Sequence, residues 1–300
     1  MNECIKITIL TPTYNREELL QRLYKSLCKQ TCREFHWLVI DDGSADSTKE
    51  VMGKLIKQNE INIDYKRKEN GGKHTALNYA HPYIKGKYVV IVDSDDLLTH
   101  DAVEKIIKKW EQYDLDGTVA GITFQRGKIK TGQTFDNSIK GEYRSTFVEE
   151  TNRGMHGDHC ETVRSELFKN FKFPEFSDER FMAEGAMWYS ITKDYKVIYT
   201  DEIVYLAEYL EGGLTKSGRM LHIENPKGCM WHAAVFLNSD FKLKIRIKNA
   251  LLYICYGKFA SIDKKTMLKN VCGEKNIIRI LWPVGWLLYR YWKVKYITNE

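Results

Sequence analysis

Three carboxylates stand at the end of an apolar run in the first third of the chain. The run is Val89-Val90-Ile91-Val92, and Asp93, Ser94, Asp95 and Asp96 follow it directly. A buried strand that ends in acids places them at the carboxyl edge of an α/β sheet, where such sheets bind ligands. Clustered acids repel one another, so they favour a bound cation, and an Asp-x-Asp with a divalent metal can hold a diphosphate. Taken alone, the pattern also fits a solvated turn that caps the next helix.

Two more polar segments follow apolar runs. Asp41-Asp42-Gly43-Ser44 ends one run, and Asn70-Gly71-Gly72-Lys73 lies between another run and a helical pattern. Glycines allow close backbone approach, a helix N-terminus offers free N–H groups to an anion, and a lysine adds positive charge. The second segment therefore suits a phosphate or sugar contact. For the first, a turn with a helix cap is an equally good interpretation of Asp42.

The elements that position these segments alternate between strand and helix. Apolar runs predict four strands, and helical spacing predicts three helices between them: strands Ile5–Leu10, Phe35–Ile40, Ile61–Arg67 and Tyr88–Val92, with helices Arg16–Gln30, Asp46–Gln58 and Thr75–Ile84. Strands joined by helices imply right-handed crossovers and a mostly parallel sheet flanked by helices. Each polar segment then falls at the carboxyl end of a strand.

The later chain is less regular. It shows two further strand patterns and one helix before a run of helices: Thr118–Phe124, Lys196–Thr200, Glu184–Lys193, and helices from Asn225 onward. A boundary is expected near Leu221. Between these parts, Gly212-Gly213 suits the hinge of a loop that brings Lys216 toward a pyrophosphate.

Composition limits the function classes. The chain has 300 residues, of which 43% are hydrophobic and 29% charged, so it is expected to be globular. The net charge of +6 is concentrated in residues 241–300, with 13 Lys/Arg against 3 Asp/Glu, whereas the first 240 residues carry 33 against 37. A core that binds nucleic acid is therefore not expected. Seven irregularly spaced cysteines without a secretory signal indicate reduced thiols and a cytoplasmic protein.

The order of these motifs resembles that of family 2 glycosyltransferases. The resemblance rests on Thr11-Pro12-Thr13-Tyr14-Asn15-Arg16, on the two segments that begin at Asp41 and Asn70, on Ala76-Leu77-Asn78, and on Asp93-Ser94-Asp95-Asp96, and it covers roughly residues 5–215. It implies a GT-A, Rossmann-like α/β fold, a nucleotide-sugar donor, Mn²⁺ or Mg²⁺, and inversion at the anomeric carbon. We then expect a catalytic domain over residues 1–220, with a nucleotide-sugar-binding half (1–115) and an acceptor half (116–220), and a helical extension over 221–300.

The resemblance also implies roles for individual residues. Asp95 ligates the metal, and Asp93 contacts the ribose or donor sugar and shares the metal. Asp41 accepts the imide N–H of uracil, which favours a UDP-sugar. The other donor-binding residues carried over are Thr11, Pro12, Tyr14, Arg16, Asp42, Gly72, Lys73, Asn78 and Ser94.

An inverting transfer needs a base that removes the proton of the acceptor hydroxyl. Family members often place a Glu-Asp pair at the start of a helix, and here Glu184 is followed by Gly185. We therefore expect Glu184 to be the base, with Asp178 and Glu179 in reserve. Acceptor contacts are expected from Asp158, Glu161 and Trp188, with a glycan or a lipid-linked glycan as the acceptor.

The C-terminal stretch Ile277–Tyr296 mixes Trp and Tyr with Lys and Arg. Arg279 and Pro283 interrupt it too strongly for a membrane span of about 20 apolar residues. Aromatic and basic residues on one helix suit the membrane–water interface, so an anionic membrane surface is expected as a partner, on the inner face of the plasma membrane. The alternative is a helix that packs on the protein and turns a basic face to solvent.

Two other functions remain open. A metal-dependent nucleotidyltransferase also uses carboxylates on an α/β sheet, but it would be expected to carry a Gly-rich basic loop after the first strand, where this chain has Thr11 to Arg16. A catalytically silent sugar- or nucleotide-binding module would be expected to lack the metal site, yet Asp93 and Asp95 are both present.

Overall fold

The computed structural model describes residues 5–135, 138–155, 157–208, 218–271 and 274–298. The chain divides into two compact units. The first comprises Met1–Glu150, Met155–Phe173 and Ser190–Glu208, and the second comprises Thr151–Gly154, Pro174–Tyr189 and Tyr209–Glu300. The segment that carries Glu184 thus groups with the C-terminal helices.

Within its described part, the first unit is built on one sheet of nine strands. They are β1 (Ile7–Thr13), β2 (Phe35–Asp41), β3 (Ile63–Arg67), β4 (Tyr88–Ile91), β5 (Leu97–Leu98), β6 (Val119–Lys128), β7 (Glu142–Ser145), β8 (Cys160–Arg164) and β9 (Lys196–Ala207). The spatial order is β3-β2-β1-β4-β8-β6-β9-β5, and β7 pairs with β9. The predicted α/β fold with flanking helices is confirmed.

The pairing of the strands differs between the two ends of this sheet. β3, β2, β1 and β4 are parallel, as predicted, but β8 runs antiparallel to both β4 and β6, and β5 and β7 run antiparallel to β9. Half of the pairings are therefore antiparallel, and the sheet is mixed rather than mostly parallel. The crossover rule applies only where a helix joins consecutive parallel strands, and β8 is inserted between strands that precede it in the chain.

Among the described residues, seven α-helices accompany or follow these strands. They are α1 (Glu17–Leu27), α2 (Thr48–Gln58), α3 (Lys73–Ala80), α4 (Ala102–Tyr113), α5 (Phe147–Arg153), α6 (Ser165–Asn170) and α7 (Gly185–Thr192). Every residue of β1 and β2 is buried, as expected for parallel strands covered on both faces. α1 buries Leu20, Leu23 and Leu27 at helical spacing, because residues three and four apart share one face.

β1 extends to Thr13, three residues beyond the end that apolar content predicted. Thr11 pairs with Val39 of β2, and its hydroxyl oxygen accepts a 2.9 Å hydrogen bond from the indole N–H of Trp37. A hydroxyl whose hydrogen bond is satisfied can be buried at little cost, so the strand continues through a polar residue.

The second unit is helical. After α7 it contains α8 (Gly218–Glu224), α9 (Pro226–Val235), α10 (Leu243–Phe259), α11 (Lys264–Asn270) and α12 (Lys275–Lys293), with a π-helical turn at Val294–Thr298. Its core is formed by Met230, Tyr253, Ile254, Ile278 and Trp292, among others. The predicted C-terminal helices are present. Within the part of the chain that the structure describes, no helix is long and apolar enough to cross a membrane.

α12 lies against α10 at a glycine. A Cβ atom placed on Gly285 would lie 2.7 Å from Cβ of Ile254, closer than real Cβ atoms come. Only glycine therefore allows the two helices to approach this closely.

Candidate functional site

The three carboxylates predicted to hold a metal are together at the end of β4. One oxygen from each of Asp93, Asp95 and Asp96 can be chosen so that all three lie within 4.8 Å of one another. Asp96 is buried, and the other two are half-buried. Oxygen ligands at this spacing suit a hard divalent cation such as Mg²⁺ or Mn²⁺.

Asp93 is held by a cation from α3. The Lys73 Nζ atom lies 2.5 Å from Asp93 Oδ1, and the Asp93 backbone N–H donates a 3.0 Å hydrogen bond to the Tyr205 hydroxyl. Burial alone would raise the pKa of Asp93, but the charges of Lys73 and Arg126 outweigh it and hold the pKa below its usual range. The carboxylate is therefore charged beside the position where a cation would bind.

Asp96 is fixed from the other half of the sheet. Its Oδ2 atom lies 2.8 Å from an Arg126 guanidinium nitrogen and accepts a 2.7 Å hydrogen bond from the Tyr205 hydroxyl. Burial is the main cause that raises the pKa of Asp96, to about 7, and the negative charges of Asp93 and Asp95 add to it, while Arg126 and Tyr205 oppose it. The Asp96 carboxyl therefore keeps its proton to a higher pH than an ordinary aspartate does. Further positive charge beside it, such as a bound cation, would favour its ionised form.

Asp95 is the open member of the cluster. Its backbone carbonyl accepts a hydrogen bond from Arg22 of α1, but its carboxylate makes no hydrogen bond or ion pair with the described residues. A half-buried carboxylate that no described residue pairs with, with two more carboxylates within ligand distance, fits a divalent cation.

The acids at the end of β2 are used differently. Asp41 is fully buried, and its oxygens accept hydrogen bonds from the Tyr65 hydroxyl and, at 2.8 Å, from the Ser44 backbone N–H, with Arg67 Nε at 3.5 Å. Its predicted contact with uracil stays a prediction.

Asp42 anchors the segment that begins at Asn70. Its two oxygens accept the backbone N–H groups of Gly71 at 3.0 Å and Gly72 at 2.6 Å, and Lys68 Nζ lies 2.7 Å from Oδ1. Gly72 has a φ of +91°, which disfavours any side chain there. The N–H groups expected to meet a donor phosphate are thus bound by Asp42, and its own donor contact stays a prediction.

The remaining donor-site residues separate by exposure. Tyr14 is 47% exposed and Arg16 is half-buried, whereas Thr11, Pro12, Asn78 and Ser94 are buried. The Asn78 amide links α3 to the backbone of Phe173, donating at 3.0 Å to its carbonyl and accepting at 2.9 Å from its N–H. This amide therefore has a structural role, and its donor contact remains a prediction.

Glu184, in the second unit, directly precedes α7, and its backbone carbonyl accepts hydrogen bonds from Met187 and Trp188. Both reserve candidates are paired within the same unit. The Glu179 carboxylate accepts the N–H groups of Lys227 and Gly228 at the start of α9, each at 2.7 Å, and Asp178 lies 2.6 Å from Lys227 Nζ.

The departure at Gly185 has a local explanation. A Cβ atom on Gly185 would lie 3.2 Å from Nε2 of His232 on α9. Burial lowers the pKa of His232 to about 4, so the imidazole is neutral. A neutral ring thus lies beside Gly185, the position where the resemblance implied a second carboxylate.

The predicted acceptor residues are only partly placed. The Asp158 side chain is 70% exposed, with Oδ2 3.6 Å from an Arg126 nitrogen. Glu161 is on β8 and Trp188 on α7, both half-buried. The predicted loop with Gly212-Gly213 and Lys216 lies outside the described residues.

Three site residues were not predicted from the sequence: Arg22, Arg126 and Tyr205. Arg126 stacks on Tyr205 with its guanidinium carbon 4.5 Å from the ring centroid. The available signal was an arginine two residues beyond the predicted strand Thr118–Phe124, since a buried arginine is rarely left unpaired.

Comparison with known proteins assigns the class. The family model described as glycosyl transferase family 2 matches residues 8–171, more than half of the chain. This chain belongs to glycosyl transferase family 2, so the predicted family is confirmed and the protein falls in a class of transferase enzymes.

Among curated relatives, the chain is 33% identical over 197 residues to the GalNAc(5)-diNAcBac-PP-undecaprenol beta-1,3-glucosyltransferase of Campylobacter jejuni, covering 63% of this chain and 60% of that protein. It is 24% identical over 176 residues to the minor teichoic acid biosynthesis protein GgaB of Bacillus subtilis, covering 56% of this chain and 19% of that protein. The chain thus spans less than two thirds of the length of both relatives.

Solved structures share the fold at low identity. Residues 1–349 of S. aureus TarS, in complex with UDP-GlcNAc, give a TM-score of 0.65 at 20% identity, covering 93% of this chain and 79% of that one. The mannosyltransferase PcManGT from Pyrobaculum calidifontis, in complex with GDP-Man and Mn²⁺, gives 0.60 at 18% identity, covering 96% and 83%.

Proposed function

We propose that this protein transfers a sugar from a nucleoside-diphosphate sugar to a hydroxyl of a glycan or lipid-linked glycan, by single displacement with inversion. The observation that carries the proposal is the open carboxylate of Asp95 at the end of β4, in a family 2 domain, with Asp93 and Lys73 beside it. Acids, a cation and a metal-binding geometry at one strand end suit the binding of a diphosphate.

The proposed donor is a UDP-sugar. TarS was solved with UDP-GlcNAc and PcManGT with GDP-Man, so the neighbours differ in the base they bind. Asp41 is the basis of our choice, because a carboxylate accepts the uracil imide N–H. UDP with Mn²⁺ should therefore raise the melting temperature more than GDP with Mn²⁺. Guanine also carries such an N–H, and a larger shift with GDP would reverse the choice.

Asp95, assisted by Asp93, is proposed to hold Mn²⁺ or Mg²⁺. A divalent cation supplies positive charge that stabilises the departing nucleoside diphosphate. Lys73 adds a second positive charge beside Asp93. Arg126 and Tyr205 fix Asp96, so the backbone that carries the ligands keeps its place.

Glu184 is proposed as the base. The carboxylate of Glu179 is occupied by two N–H groups of α9 and that of Asp178 by Lys227, which favours Glu184 over both. Glu184→Gln should reduce sugar transfer about a hundredfold to ten-thousandfold while nucleotide affinity stays nearly unchanged.

Glu179→Gln is the matched control for this test. Because Glu179 caps α9, the control should lower stability by about 1–2 kcal/mol and leave transfer by the folded fraction unchanged. If Glu184→Gln transfers at the parental rate while Asp178→Asn or Glu179→Gln does not, the base lies in the preceding segment.

The proposed acceptor and location follow from the relatives and the charge. The name of the Campylobacter protein specifies an undecaprenol-linked glycan, and that of GgaB specifies teichoic acid biosynthesis. An acceptor of this kind, contacted by Asp158, Glu161 and Trp188, is our proposal here. The basic C-terminal helices make an anionic membrane surface on the cytoplasmic side the proposed second partner.

Incubating the protein with UDP-GlcNAc, UDP-glucose and UDP-galactose, with and without Mn²⁺, tests the proposal. Release of UDP that depends on Mn²⁺ is expected, and product NMR should show an inverted anomeric configuration. Binding of UDP without turnover would indicate a silent module. Consumption of a nucleoside triphosphate with release of pyrophosphate would indicate a nucleotidyltransferase.

A further inference from the structure

α12 has two apolar faces. The inner face includes Ile278, Gly285 and Trp292, which are buried in the helical core. A second set of apolar residues points away from it at spacings of three and four, and we call this set the outer stripe: Ile280, Val284, Leu287, Tyr291 and Val294, exposed by 75%, 50%, 59%, 58% and 52%. Residues at this spacing form one continuous face. A contiguous exposed apolar patch of this kind marks an interaction surface.

A cationic groove is formed by residues of α11 and α12. The cavity has a volume of about 530 Å³ and is lined by Leu268 and five cations, which are Lys264, Lys265, Lys269, Lys275 and Arg279. Arg279 is the immediate neighbour of Ile280, the first residue of the outer stripe. Lys275 and Arg279 belong to α12 itself, so the groove and the outer stripe share this helix.

The charge of this region is strongly positive. From Asp263 to Thr298 the sequence contains eight Lys/Arg residues and two acids, Asp263 and Glu274. The occupant of this surface must therefore bring negative charge and an apolar layer together. A second copy of the chain in a symmetric pairing would place like charges against each other.

We propose that the outer stripe and the cationic groove together bind an anionic phospholipid bilayer. The stripe enters the boundary between headgroups and acyl chains, and the groove binds headgroup phosphates. Interfacial helices with an apolar face and flanking cations bind membranes in this way. This inference rests on the membrane partner proposed above and is independent of sugar transfer.

The surface also divides the aromatic residues of the C-terminal stretch. Trp292 is buried, and the half-buried Tyr289 packs against Phe259 with ring centroids 4.8 Å apart, so both contribute to the helical core. Trp286 and Tyr291, 40% and 58% exposed, are the most exposed aromatic residues of this stretch and suit the membrane interface.

Co-sedimentation of the full chain with vesicles tests the proposal. We expect binding to vesicles of phosphatidylcholine mixed with phosphatidylglycerol, weak binding to phosphatidylcholine alone, and a decrease with added salt. The groove variant Lys265→Gln/Lys269→Gln should bind anionic vesicles more weakly by about fivefold per cation removed. The stripe variant Ile280→Ser/Leu287→Ser should lower binding about tenfold or more, because two apolar side chains no longer enter the bilayer.

Matched controls lie on the first unit. Lys54→Gln/Lys57→Gln removes two exposed lysines from α2, and Leu115→Ser removes a leucine that is 99% exposed. Neither should change vesicle binding. Circular dichroism and the melting temperature should match the parent for every variant, since each changed side chain is at the surface.

Several outcomes would overturn the inference. They are absence of binding to anionic vesicles, equal binding of groove and control variants, or a dimer in sedimentation velocity that the stripe variant dissolves while vesicle binding persists. Failure of the function proposed above is separately visible: UDP release would be absent while vesicle binding follows the expected pattern.

Discussion

Two strand ends in the first unit carry acids, and they use them in opposite ways. At the end of β2, backbone N–H groups bind Asp41 and Asp42, together with Tyr65 and Lys68. At the end of β4, Asp93 and Asp96 have protein partners, but Asp95 has none among the described residues for its carboxylate. The end of β4 therefore offers a carboxylate to a metal, whereas the carboxylates at the end of β2 are held by protein partners.

Replacing one aspartate by asparagine at each strand end, Asp95 after β4 and Asp42 after β2, is the strongest test of this difference. Asp95→Asn should lower Mn²⁺-dependent UDP release about a hundredfold to a thousandfold, since charge stabilisation of a leaving group contributes several kcal/mol. Its free energy of unfolding, measured in urea, should stay within about 0.5 kcal/mol of the parent. Asp194→Asn, at an exposed turn, is the control with unchanged turnover. Undiminished release by Asp95→Asn would remove its metal role.

Asp42→Asn should have its main effect on folding. An amide would set an N–H₂ group against backbone donors and leave Lys68 without its counter-charge, which should lower the free energy of unfolding by about 2–4 kcal/mol. Equilibrium urea denaturation gives this value directly. Parental stability combined with lost UDP affinity would instead mean that Asp42 touches the donor.

Metal binding itself should distinguish the two ends. At a Mn²⁺ concentration about a hundred times its dissociation constant, the parent should gain about 2.7 kcal/mol of stability. Asp42→Asn should be less stable without Mn²⁺ but should gain as much free energy of unfolding when Mn²⁺ is added. Asp95→Asn should lose most of this gain. The measurement is the urea midpoint with Mn²⁺ and with EDTA. An equal gain in all three proteins would place the metal elsewhere.

The smallest effect is expected at Tyr65. Tyr65→Phe removes one hydrogen bond to Asp41 and should lower stability by about 1 kcal/mol, because Ser44 N–H and Arg67 still hold the carboxylate. UDP affinity, measured by calorimetry, reports whether the freed oxygen matters to the donor. A loss of several kcal/mol would show that Asp41 depends on Tyr65 alone.

The sequence predicted the positions of the strands better than the roles of the acidic residues that follow them. Apolar runs located β1, β2 and β4, because strands covered on both faces leave little choice of residue. They did not predict β8, and its antiparallel direction depends on which strands meet in space. Asp41-Asp42 and Asp93 to Asp96 look alike in the sequence, and only the partners supplied by distant segments separate them.

Those partners are distant for a physical reason. Arg126 and Tyr205 belong to β6 and β9 and reach Asp96 only after the sheet has formed. Likewise the aromatic content of the C-terminal stretch was evident, but the face of each ring depends on packing. Tyr291 is exposed and the adjacent Trp292 is buried.

The contact of Gly285 with Ile254 has a consequence for insertions and deletions in α12. It fixes the rotation of the helix about its own axis, because no other residue can occupy that position against α10. Each residue of an α-helix turns the chain by about 100°. One residue inserted just after Gly285 would therefore rotate Leu287 and Tyr291 away from Ile280. The outer stripe would then be split into two parts on different sides of the helix. Residues added before Lys275 would leave that face whole, so length variation should be tolerated ahead of this helix and not within it.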